Sequence, residues 1–191
     1  MINQDAFEQP GAPARIFGGM SRLANSSADR VDRDFARAGD APAAFAISRR
    51  LNAGEAGRLM VSAGCLSPDD PRVIAMQEAP DQARVEAMKA PGGLRMASQE
   101  TVEALTACDM GREGRSALAG IRRSFKNIES GQGPSFGSVA EAFGRIALAA
   151  SSESEKPARD IAAKAFATTA QAGVEAARER DLSRSKDTQE R

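Results

Sequence analysis

Arg112, Arg115, Arg122, Arg123 and Lys126 have the spacing in this 191-residue sequence that best fits a working surface. Wound on a helix at about 100° per residue, all five fall within one arc roughly 100° wide. Ala117, Leu118, Ile121, Phe125 and Ile128, joined by Gly114, fall within a separate arc of similar width. The sequence therefore predicts an amphipathic helix over residues 112–129, with one face to bury and a basic face beside it. Such a face can lie against acidic groups of its own chain, hold an external anion or acidic partner, or stay solvated. Local charge favours an internal use first: residues 64–110 carry eight acidic and four basic side chains, whereas residues 111–129 carry five basic and two acidic. An acidic protein, an anionic lipid surface and nucleic acid are the external alternatives.

The residue types that are absent narrow the chemistry. There is no His, Trp or Tyr, and the aromatics are eight Phe. A Ser-His-Asp triad, a Cys-His dyad, an HExxH zinc site and a His general base cannot be assembled within the chain. Without Tyr or Trp, stacking platforms for single-stranded nucleic acid are scarce, and no zinc module is present to hold a duplex. Lipid binding is disfavoured because the apolar arc is needed for the core. The 26 basic and 26 acidic side chains balance, which argues against a general coating of polyanions.

Other chemistry-bearing groups have plainer uses. Asp69-Asp70, Asp32 with Asp34, and Glu100 with Glu103 read as helix-start charges or solvated faces, since no partner set completes a metal or acid–base site. The Gly-rich stretch over residues 131–138 precedes a helix start but fails the P-loop spacing and lacks its Lys, so it reads as a linker. Cys65 and Cys108 form no CxxC and no disulfide framework, which suits a reducing compartment. Cys108 reads as a small hydrophobe on a helix with Val102 and Leu105. No catalytic residue, metal site or cofactor is expected from these patterns.

The elements that must carry the basic face are helices punctuated by Gly and Pro. Residues 1–15 read as a mobile arm, residues 16–150 as a helical domain, and residues 151–191 as a linker, a C-terminal helix and a charged tail. Ser26-Ser27 offers a cap for a helix holding Val31 and Phe35. A second helix follows Pro42, with Phe45, Ile47 and Leu51 inward and Gly54 as its stop, and Leu59-Met60-Val61 reads as helix. An Arg-Val-x-Ala-Met unit then occurs twice, from Arg72 and from Arg84, each copy ending in Pro. Asp70-Pro71 and Asp81 are its start signals. Ser98 is expected to open a helix that Gly111 ends. Ser138-Val139-Ala140-Glu141 has the spacing of a capping box, opening a helix with Val139, Phe143, Ile146 and Ala150 on one face. Pro157 suits the first turn of a last helix reaching about Leu182, where Asp160, Lys164, Thr168, Gln171, Glu175 and Arg178 form a polar stripe amid Ala. That Ala-rich surface is expected to pack closely on another helix, preferably within the chain.

The fold class that follows is all-α, an irregular bundle of about six to eight short helices with a longer C-terminal helix. The functional expectation is a non-catalytic protein-interaction protein, of the kind found as a bacterial secretion-system, phage or plasmid accessory or as a translocated effector. A nucleic-acid accessory using residues 112–126 is the alternative, and an enzyme built without His a third. The expected partner is a protein with an acidic surface or another copy of the chain. The acidic N-terminal residues and the lack of an apolar run point away from a Sec-type signal, and no stretch is long enough to span a membrane. A cytoplasmic protein, or one exported by another route, is expected.

Overall fold

The computed structural model describes residues 38–126 and 135–189, without the side chains of Lys126 and Gln189. The expected arm over residues 1–15, the helix after Ser26-Ser27, Asp32 and Asp34, and residues 127–134 lie outside that range. Eight helices fall wholly within it: α1 (Pro42–Arg49), α2 (Ala53–Ser62), α3 (Pro71–Gln77), α4 (Gln82–Lys89), α5 (Gly93–Thr106), α6 (Arg112–Lys126), α7 (Phe136–Ala149) and α8 (Lys156–Gln189). No strand occurs among the described residues, and the class is all-α with a longer C-terminal helix.

The organising element is α8. Every residue from 165 to 174 is buried, so this stretch has no solvent face. α1 to α5 and α7 all pack against it, while α6 packs on α7 and α5. A helix enclosed on all sides needs small side chains wherever a neighbour comes close, and Ala162, Ala163, Ala165, Ala167, Ala170 and Ala172 supply them. Gly173 marks the tightest approach: a Cβ there would lie 2.5 Å from Ile47 Cδ1 and 2.7 Å from Phe136 Cβ. The Ala-rich surface thus packs within the chain. The larger apolar content comes from the surrounding helices and from Phe166, which is fully buried.

The duplicated Arg-Val-x-Ala-Met unit forms α3 and α4, both packed on α8. Val73 and Val85 are 0 % exposed and Met76 and Met88 1 %, so both copies turn the same face inward. The cap signals work as expected, with Asp70 accepting from Arg72 N at 2.8 Å and Asp81 from Arg84 N at 3.2 Å. The two arginines then diverge. Arg72 is buried in an ion pair with Asp70 at 2.7 Å, while Arg84 donates across to Thr101 Oγ1 at 3.0 Å on α5.

Several expected boundaries move, each for a local reason. α1 ends at Arg49 because Arg50 adopts the left-handed conformation (φ 55°) that closes it. Gly54 therefore stops nothing; it sits in the first turn of α2, which Asn52 and Glu55 open with a capping box. α5 starts five residues before Ser98, where Gly92 takes φ 77° and Ala87 O leaves no room for a Cβ on Gly93. Ser98 is instead buried in mid-helix, its hydroxyl donating to Leu94 O at 2.6 Å. α5 closes at Thr106, so Cys108 lies beyond it, half-buried against the core. α8 runs past Leu182 to Gln189.

Glu141 does not close a capping box with Ser138. The cap of α7 is Ser135, which accepts from Ser138 N at 3.2 Å. Glu141 reaches instead to the uncapped start of α1, accepting from Ala43 N at 2.7 Å and Ala44 N at 3.3 Å. The inward face expected of α7 holds, with Val139, Phe143, Ile146 and Ala150 all buried.

Candidate interaction face

α6 lies at the edge of the bundle, and its two faces separate as the spacing requires. Gly114, Leu118, Ile121 and Phe125 are buried, whereas Arg112, Arg115, Arg122 and Arg123 are exposed. Lys126 is the last helical residue. The structure divides the four arginines into two pairs. Arg122 donates to the hydroxyl of Thr106, the last residue of α5, and Arg115 donates to the carbonyl of Met110 at 2.5 Å. Arg123 bonds only within its own helix, to Ala119 O at 3.4 Å, and no bond tethers Arg112 among the described residues.

Helical geometry explains the division. Arg122 and Arg115 stand about 40° and 60° around the helix from Leu118, close enough to bend back, Arg122 over the end of α5 and Arg115 over the connection before α6. Arg112 and Arg123 stand about 120° and 140° away and point out of the bundle. The cation beside the end of α5 also meets the negative end of that helix dipole, a favourable placement worth a few tenths of a kcal/mol or so on an exposed surface.

Acidic groups of the preceding segment do not neutralise this face. Among the described residues, none of the four arginines lies within ion-pair distance of a carboxylate, and the acceptors they use across the chain are a hydroxyl and a carbonyl. The acidic side chains of residues 64–110 are engaged elsewhere or exposed. Asp70 holds Arg72, Glu86 joins Glu175 and Glu179 around Lys89, and Glu100 stands 3.8 Å from Arg84. Three carboxylates at 2.6 to 3.2 Å hold the Lys89 ammonium charged well above the usual lysine range, the bond to Glu179 contributing most. Lys89 is thus a structural cation, unsuited to act as a nucleophile.

One residue that fixes the face lies in the segment whose composition marks it as a linker. Glu155, just before α8, is buried and gathers four donors: Ser151 N at 3.2 Å, Ser152 N at 3.0 Å, Ser152 Oγ at 2.7 Å, and Gly111 N. These bonds, those from Ser152 foremost, favour the carboxylate and pull its pKa down to about 2. Gly111 immediately precedes α6, so Glu155 ties the start of the basic helix to the α7–α8 turn. A Cβ on Gly111 would lie 2.8 Å from Glu155 Oε1, which makes Gly111 part of the same clasp. The signal was legible in part: Ser152 and Glu155 have the S-x-x-E spacing by which a Glu reaches back to a backbone N–H.

The remaining candidates stay separate from α6. Cys65 and Cys108 are free and half-buried, and both pack against the main core. Of the Gly-rich stretch only Ser135 to Ser138 is described, and Ser135 serves as a helix cap. No group of three or more His, Cys, Asp or Glu side chains able to hold a metal occurs among the described residues. A cleft of about 320 Å³ lies between the start of α2, the α3–α4 turn and α8, with Arg58, Lys164, Glu78 and Asp81 along it. The polar stripe of α8 forms part of its wall, but Thr168 and Gln171 are buried rather than solvated. Gln171 accepts from Ala53 N at 2.9 Å and donates to Glu175 at 2.9 Å, so its polar groups already serve the fold.

The class defined by this arrangement is an all-α bundle wrapped on a central helix, with a basic helix at its edge. Comparison with protein-family models, with curated proteins and with solved structures gives no match. No helix among the described residues is long and apolar enough to cross a membrane.

Proposed function

We propose that this chain is a non-catalytic interaction protein that docks an acidic protein surface on the outer face of α6. The observation that carries the reading is the unneutralised row of exposed arginines on a helix whose opposite face is locked into the core. Arg112 and Arg123 are the contact residues, because neither is tethered to another element. Arg122 combines contact with a structural duty at the end of α5, and Arg115 with one at Met110, in the connection before α6. Arginine suits this use, since its planar fork holds a carboxylate through two bonds and its charge persists at every physiological pH.

The test is capture of partners from native lysate by the full chain, compared with Arg112→Glu/Arg123→Glu. The double reversal should leave the thermal melt unchanged and abolish capture. Wild-type capture should weaken as salt is raised, because exposed charges are screened beyond about 8 Å at physiological ionic strength. Capture that survives the reversal would overturn the reading. Capture that nuclease treatment removes would replace the protein partner with nucleic acid.

A further inference from the structure

The exposed face of α5 has the composition that the α6 face lacks. Met96, Gln99, Glu100 and Glu103 are all exposed and fall at i, i+3, i+4 and i+7, which places them on one side of the helix. Met96 is 65 % exposed, an unbranched apolar side chain standing in water beside two carboxylates. Glu103 makes no hydrogen bond or ion pair among the described residues, and Glu100 has only the 3.8 Å approach of Arg84. The Arg122–Thr106 bond shows that the basic arc of α6 borders α5, so the acidic and basic faces adjoin.

They adjoin without neutralising each other. Arg112 and Arg123 on α6 and Glu103 on α5 are all exposed, and among the described residues no ion pair joins them. A surface carrying adjacent acidic and basic faces becomes complementary to itself when rotated by 180°. The geometry points to a second copy of this chain as the partner of that surface: the α6 arginines of each copy meet the α5 glutamates of the other. This names the partner for the α6 face described above, and so rests on that reading.

Two further features fit this occupant. The two-fold arrangement forms each charge contact twice, and two copies of a chain with a formal net charge of zero meet no net long-range repulsion. Ala119, exposed on the same arc two turns after Arg112 and one turn before Arg123, is a small residue among long side chains and offers room for the exposed Met96 of the second copy. Met96 supplies the apolar anchor, and the charges fix its register.

The experiment measures the mass of the full chain by light scattering across protein and salt concentration. The wild type should be dimeric at low salt and dissociate as salt rises. Arg112→Glu/Arg123→Glu and Glu100→Lys/Glu103→Lys should each be monomeric, with their helical circular dichroism intact. Mixing the two variants should restore a dimer, because every reversed contact then meets a reversed partner. Should a reversal disturb folding, Arg123→Gln and Glu103→Gln carry the same reading, each raising the dissociation constant about tenfold. A wild type that is monomeric throughout, or a dimer indifferent to all four variants, overturns the inference. A monomeric wild type whose lysate capture is still lost on Arg112→Glu/Arg123→Glu overturns the second copy alone. A monomeric wild type with unchanged capture overturns both readings.

Discussion

α6 and α8 are both helices of modest hydrophobicity, and they solve the problem of packing in opposite ways. α6 offers a few large residues, Leu118, Ile121 and Phe125, to one side and turns its arginines to water. α8 is enclosed over residues 165–174 and offers mostly small residues, four Ala, two Thr and Gly173, with Phe166 and Val174 as its larger buried apolar groups. An edge helix needs bulk on one face only, because nothing approaches the other. A central helix meets neighbours on every side, so close approach of several backbones replaces bulk. Charge differs as well. Beside the central helix, Arg50 is held by Asp181 at 2.8 Å and Lys89 by Glu179 at 2.6 Å, whereas among the described residues no carboxylate pairs with Arg112, Arg115, Arg122 or Arg123.

The largest expected effect tests where the bulk matters. Phe166→Ala should cost about 3–5 kcal/mol in denaturant unfolding, since its ring is fully buried among α7 and α8 and the site cannot collapse onto it. Phe125→Ala, 6 % exposed at the edge, should cost about 3 kcal/mol and no more than Phe166→Ala. A larger loss at Phe125 would mean that α6 is the better enclosed of the two.

Small residues on α8 should resist enlargement. Gly173→Ala and Ala172→Leu should each lose about 1–3 kcal/mol, because the added carbons meet Ile47 and Phe136 in one case and a fully buried position in the other. Ala119→Leu on the outer face of α6 should leave the melt unchanged, and that contrast is the sharpest single check on the comparison.

The clasp that joins the two regions should be visible in acid. Glu155 has a folded pKa near 2, below its ordinary 4.5, so folding favours its ionised form. Its contribution is complete above the ordinary value and is lost as pH falls toward about 2. Glu155→Gln should therefore lower the melting temperature at neutral pH and flatten the loss of stability between about pH 4.5 and 2. An unchanged acid limb would show that the four donors are not holding a carboxylate. The smallest effect belongs to Arg112→Glu/Arg123→Glu, whose stability should stay within about 0.5 kcal/mol of wild type while association changes.

Much of the architecture was legible because its signals are local. Asp70-Pro71 and Asp81 capped the helices they were expected to cap, and the Val and Met of the duplicated unit turned inward together. The division of α6 followed from spacing alone. Signals that misled were those with two local meanings. Glu141 stands three residues after a Ser, which suits a capping box, yet the uncapped start of α1 lies within its reach and offers two free N–H groups. Gly54 looks like a stop, but Arg50 had already closed α1.

Among the described residues, the sequence by itself determined broadly where helices lie, which face of most of them is apolar, and that five basic residues share one arc, because helical periodicity and caps act within a few residues. Tertiary structure alone decided that α8 is the centre rather than an appendage, since Ala-rich surface has the same pattern whether it meets its own chain or another. It also decided that Arg122 leans on α5 while Arg112 and Arg123 do not, and that Glu155 anchors the start of α6. Those outcomes depend on which groups of other elements arrive in packing or hydrogen-bond reach, which no local spacing encodes.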